Sequence, residues 1–116
     1  MAIELNEEGF NYAKSLVEEG RVVNDLHGEW DEINPGTREQ NEFIEEHGME
    51  AFGRWHLGFK VGGSRQDKTS YSFPYGNYKD VYRSGIIAAE ERAAQYHHEE
   101  VLEATKILEG MLGDVD

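Results

Sequence analysis

The chain predicts an α+β fold, mostly helical and in one domain, with a single β-hairpin over about residues 54–75 packed on helices. Three observations point there. Apolar residues recur every three or four positions as far as Ala51 and again from Val81. Between Arg54 and Tyr75 the period drops to two. The same window also reverses the sign of the charge. Residues 51–85 carry six bases against two acids in a chain of formal charge −13, and they hold eight of the thirteen aromatics.

The first helix is signed at both ends. Asn6 is placed to cap it, Glu7 and Glu8 suit the positive end of its dipole, and Leu5 with Phe10 has the spacing of a hydrophobic staple. Phe10, Ala13, Leu16 and Val17 share one face, and Gly20 supplies the stop. Val22/Val23, Leu26, Trp30 and Ile33 continue the spacing, so a second helix or a kinked extension is expected over about 22–33. Asn34-Pro35-Gly36 is a turn. Thr37-Arg38-Glu39-Gln40 reads as a capping box; its helix carries Phe43, Ile44, His47 and Ala51 on the apolar side. Gly48 and Gly53 weaken that helix by about 1 kcal/mol each relative to alanine.

The hairpin strands follow. Trp55, Leu57, Phe59 and Val61 alternate with Arg54, His56, Gly58 and Lys60, and Tyr71, Phe73 and Tyr75 alternate with Ser72 and Pro74. Gly62–Thr69 is a polar loop, and Pro74 marks the second strand as an edge or as ending early. Asn77 can cap what comes next. Val81/Tyr82, Ile86, Ala89, Ala93 and Tyr96 form one helical stripe, and Val101, Leu102, Thr105, Leu108, Met111 and Leu112 form another. A single helix through both would exceed the usual length, so two helices joined near His97-His98 are expected. Residues 1–4 and 113–116 are expected to fray.

Composition narrows the function classes. With no cysteine, disulfides, thiolate catalysis and cysteine-held metals are excluded. No apolar run is long enough for a signal-peptide core or a membrane span, and Met1-Ala2-Ile3-Glu4 is acidic, so a cytoplasmic location is expected. The net charge argues against nucleic acid and anionic membrane as partners. An excess of Glu over Asp, eighteen to six, is also compatible with a salt-adapted host.

The polar face of the hairpin and its neighbours supply the binding candidates: Arg54, His56, Lys60, Tyr75, Tyr78, Lys79 and Arg83, with Arg65 and Lys68 in the intervening loop. Cationic side chains beside aromatic rings suit a protein partner or a small anionic ligand. The same bases also complement the acidic helices of this chain, a purely structural role. His97-His98-Glu99-Glu100 offers metal-ligand types at poor spacing, because adjacent helical residues point about 100° apart. Gly62-Gly63 precedes a polar loop rather than a helix and is not a phosphate-binding motif.

Tyr71-Ser72-Phe73-Pro74-Tyr75-Gly76, Ala88-Ala89-Glu90-Glu91-Arg92-Ala93-Ala94-Gln95-Tyr96 and Leu108-Glu109-Gly110-Met111-Leu112 resemble a family of small uncharacterised bacterial proteins, over about residues 43–112. The resemblance implies a bacterial origin and carries over no activity, cofactor or site residue. The expected function is therefore a non-enzymatic binding or regulatory module, without a cofactor, acting on a protein partner or a second copy of itself through the hairpin region. The alternative is a metal- or carboxylate-dependent enzyme around His56, Glu90, Glu91, His97 and His98.

Overall fold

A computed structural model describes residues 2–25 and 29–113. Strand β1 (Ile3–Leu5) leads into helix α1 (Glu7–Glu18), and β2 (Val22–Val23), α2 (Trp30–Ile33), α3 (Thr37–His47) and α4 (Met49–Gly53) follow. Then come β3 (His56–Lys60), a 3₁₀ turn at Lys68–Ser70, β4 (Tyr71–Pro74) and β5 (Val81–Tyr82), before α5 (Arg83–Gln95) and α6 (Glu99–Leu112). The α+β class and the helical majority agree with the sequence. No helix among the described residues is long and apolar enough to cross a membrane.

The hairpin is there, but it is part of a larger sheet. β1 pairs antiparallel with β3, Ile3 opposite Lys60 and Leu5 opposite Gly58, so the order is β1-β3-β4. Ile3 and Glu4, expected to fray, thus belong to an edge strand, while Met1 and residues 114–116 of the same expectation lie outside the described residues. As the central strand, β3 is covered on both sides, and His56, Leu57, Gly58 and Phe59 are all buried. The expected alternation fails because the outer face is covered as well: His56 packs against Phe52 and Tyr71 rather than facing solvent, whereas Val61, past the end of the strand, is 53% exposed. Pro74, which has no N–H to donate, closes β4 at the other edge.

α1 ends in a Schellman motif. The Gly20 N–H bonds the Val17 carbonyl at 3.0 Å and the Arg21 N–H bonds that of Leu16 at 2.9 Å, with Gly20 at φ +78°. Its N-terminus departs from expectation. Asn6 occupies the cap position, but its amide instead donates to the carbonyls of Gly53 (2.9 Å) and His56 (3.0 Å). These bonds clamp α1 onto β3 at Gly9, where any Cβ would collide with the His56 carbonyl oxygen.

The helix expected over 22–33 forms at its C-terminal end alone among the described residues: Val22–Val23 is strand β2, paired in parallel with β5, and Trp30–Ile33 is helical. Leu26 lies outside the described residues. The long helix from Thr37 breaks at Gly48, φ +89°, giving α3 and α4. Its cap is shifted by one residue, since Gly36 is the N-cap and its N–H donates to the Glu39 carboxylate at 3.3 Å. Asn77 caps no helix; its side-chain oxygen accepts from the N–H groups of Lys79 and Asp80 in a turn. α5 is capped from a distance instead, by Asp25, whose carboxylate accepts from both the N–H (3.0 Å) and the hydroxyl of Ser84.

α5 and α6 are two helices, as their combined length implies. They join through a second Schellman turn: the His98 N–H bonds the Ala93 carbonyl at 2.9 Å and the His97 N–H that of Ala94 at 3.4 Å. His97 holds the left-handed position there, φ +59°, that glycine most often takes. Between these helices, α1 and the sheet lies the core, with Leu16, Leu57, Tyr75, Val81, Ile86, Val101 and Leu108 fully buried.

Candidate functional site

The basic–aromatic segment is largely consumed by the fold. Tyr75 is completely buried, and its hydroxyl donates to the Arg54 carbonyl at 2.7 Å, 3.3 Å from that of Gly9. Burial holds this phenol well above its ordinary pKa. His56 is buried too; its Nδ1 lies 2.9 Å from the Phe52 carbonyl, the geometry of a neutral ring donating there, and burial lowers its pKa to about 4. Arg83 is nine-tenths buried, donating to Asn24 at 3.1 Å and to the Gly113 carbonyl. These three side chains, expected on a binding surface, are internal fasteners.

Other bases of the segment lie against the protein's own side chains. Arg65 sits 4.7 Å from the centre of the Phe59 ring, and Lys68 donates to Asn41 at 3.1 Å. Tyr78, half-buried at φ +70°, stacks on Phe43 at 4.2 Å, and burial raises its hydroxyl pKa. Lys60 is half-buried at the end of β3, while Arg54 and Lys79 are exposed. No single basic face gathers the seven expected residues.

The second expected grouping is likewise dispersed. His97 and Glu91 are exposed, and among the described residues no group of three or more His, Asp or Glu side chains could hold a metal. Glu90 turns instead to Glu109 across the α5–α6 interface. Burial, then a hydrogen bond to Glu90 and the charge of Glu90, raise the Glu109 pKa to about 7, against Arg83 and Lys106.

What the structure does bring together is a cleft of about 480 Å³ that no motif or period announces. β4 forms one wall through Ser72, Phe73 and Pro74; α5 forms another through Ala88, Ala89, Arg92 and the adjoining Tyr96; α2 closes it with Trp30 and Asp31. His98 joins this lining because the left-handed turn at His97 swings it back against Phe73, edge to face at 5.7 Å. Alanines on α5 leave the space, and the aromatic rings bound it.

Two consecutive residues on the β4 wall are held at a cost. Phe73 sits at φ +59°, a conformation that costs a non-glycine residue about 1–3 kcal/mol. The Ser72 hydroxyl is buried against Gly58, whose missing side chain makes the room, and it has no hydrogen-bond partner among the described residues. An unmet buried hydroxyl costs a further 1–3 kcal/mol or so. Among those residues no base stands within hydrogen-bond reach of Ser72, so it is not set up as a nucleophile. The cleft's charged groups are Asp31 and Arg92, both exposed, and neither makes an ion pair among the described residues. Such a site can hold and orient a ligand.

A comparison with protein-family models, curated proteins and solved structures found no match to this chain in any of the three.

Proposed function

We propose that this acidic protein is a non-enzymatic binding module whose ligand occupies the cleft between β4, α2 and α5. The observation that carries the reading is the coincidence of strained Phe73 and unpartnered Ser72 on one wall of a cavity. Local costs of this kind persist where a function uses them. The volume lies in the range of small-molecule sites, and the lining joins apolar and aromatic side chains to the polar groups of Asp31, Asn34, Ser72, Arg92 and His98.

A fragment library screened by amide NMR tests the proposal. Binding fragments are expected to move the signals of Ser72, Phe73, Ala89 and Arg92 together. Fragments that cluster elsewhere, or a library that yields none, would sink it.

A second reading keeps the hairpin as a docking point for a protein or a second copy of the chain. It is favoured by Val61, 53% exposed beside Lys60, with Arg54 and Lys79 also exposed. Sedimentation across a concentration series tests this, and a monomer throughout would remove the self-association version.

A further inference from the structure

We infer that the ligand of the cleft is a small zwitterion with an apolar body: a molecule bearing an ammonium and a carboxylate beside an aliphatic or aromatic group, as an apolar amino acid does. This rests on the cleft being the binding site, and it adds the ligand's chemistry.

Asp31 and Arg92 line one cavity from different helices and carry opposite charges. Among the described residues, neither is joined by an ion pair to the other or to any further side chain. A purely anionic ligand would meet Arg92 but also Asp31 and the repulsion of the net −13. A purely cationic ligand would meet Asp31 while leaving Arg92 facing like charge. Only a ligand with both charges satisfies both residues at once. Arginine holds a carboxylate through two parallel N–H bonds, and Asp31 accepts from an ammonium.

The rest of the lining suits the remainder of such a molecule. Trp30 and Phe73, both more than nine-tenths buried, present apolar ring surface, and Ala88 and Ala89 let a side chain approach α5 closely. Tyr96, 56% exposed at the mouth, can cover an ammonium with its ring face. The ligand's polar groups also offer the Ser72 hydroxyl the partner it lacks, after rotation about its Cα–Cβ bond.

Isothermal titration of L-phenylalanine and L-leucine, with phenethylamine and hydrocinnamate as matched probes lacking one charge each, tests the assignment. Both amino acids are expected to bind, and each singly charged analogue of L-phenylalanine to bind about tenfold more weakly or worse. R92Q should erase the preference for L-phenylalanine over phenethylamine, and D31N its preference over hydrocinnamate. Both substitutions are at exposed positions and should leave the thermal transition unchanged. Equal binding of the three phenyl probes, or preferences that survive the substitutions, would overturn the zwitterion. So would failure of every probe to bind; fragments that still mapped to the cleft would then show that the site stands and only its chemistry was misassigned.

Discussion

The Tyr75 hydroxyl, on a fully buried side chain, donates to the backbone carbonyl of Arg54 at 2.7 Å. It ties the end of β4 to the corner where α4 gives way to β3, two points far apart in sequence at opposite ends of the basic–aromatic segment. Tyr75→Phe removes this donor without opening a cavity. The loss expected in urea unfolding is about 1–2 kcal/mol with an unchanged denaturant slope, the cost of losing the bond and leaving a part-buried carbonyl unmet.

Arg83 and Arg54 belong to the same basic segment but should respond differently to truncation. Arg83→Ala strips the part-buried contacts to Asn24 and Gly113 that hold α5 to the β2 arm and to the end of α6, and should cost about 2–3 kcal/mol. Arg54 contributes its carbonyl rather than its exposed side chain, so Arg54→Ala should change stability by less than about 0.5 kcal/mol. Chemical denaturation of the two variants checks the ranking.

Two glycines make an opposed pair. A Cβ at Gly9 would meet backbone, the His56 carbonyl oxygen, which cannot step aside, so Gly9→Ala should destabilise by about 3 kcal/mol. Gly110 lies in the last turns of α6, and a Cβ added there would find no atom within 4 Å. Gly110→Ala should therefore stabilise by about 0.5–1 kcal/mol. Thermal melts of the two variants should move in opposite directions.

The pH profile contains two contributions of opposite sign. His56 has a folded pKa of about 4 against an ordinary 6.5, so the unfolded chain binds the proton more readily. Its contribution is complete above pH 6.5 and is lost as pH falls toward 4, by about 2–3 kcal/mol. Glu109 is raised from 4.5 to about 7, so its contribution is complete below pH 4.5 and lost as pH rises through 7. Unfolding measured from about pH 4 to 8 should show Glu109→Gln gaining on the parent protein toward the alkaline end, while His56→Gln should lose the acid-side slope. A parallel shift of either curve at every pH would contradict the assignment.

Much of the framework is legible in the sequence because it is local. The Gly20 stop and the β3–β4 hairpin follow from patterns spanning a few residues, and the division of α5 from α6 follows from their combined length. What stays hidden depends on contacts between distant segments. β1 is three residues long and exists only because Ile3–Leu5 lies along β3. His56, whose place in an alternating run suggests an outward face, is buried against the rings of Phe52 from α4 and Tyr71 from β4. The valines of β2 sit at a spacing that a helix would also use, and only their parallel pairing with β5 settles the matter. The cleft is the furthest from the sequence. Its walls come from α2, β4 and α5, and neither the left-handed Phe73 nor the swing of His98 leaves a mark in composition or period. His98 stands out in the sequence for a different chemistry, since its neighbours Glu99 and Glu100 point toward metal.

A crystal structure of the protein grown with L-phenylalanine tests the central claim most directly. Ligand density is expected in the cleft, its carboxylate on Arg92, its ammonium on Asp31, and the Ser72 hydroxyl turned to meet it. An empty cleft with the amino acid bound elsewhere, or Asp31 and Arg92 closed on each other, would contradict it.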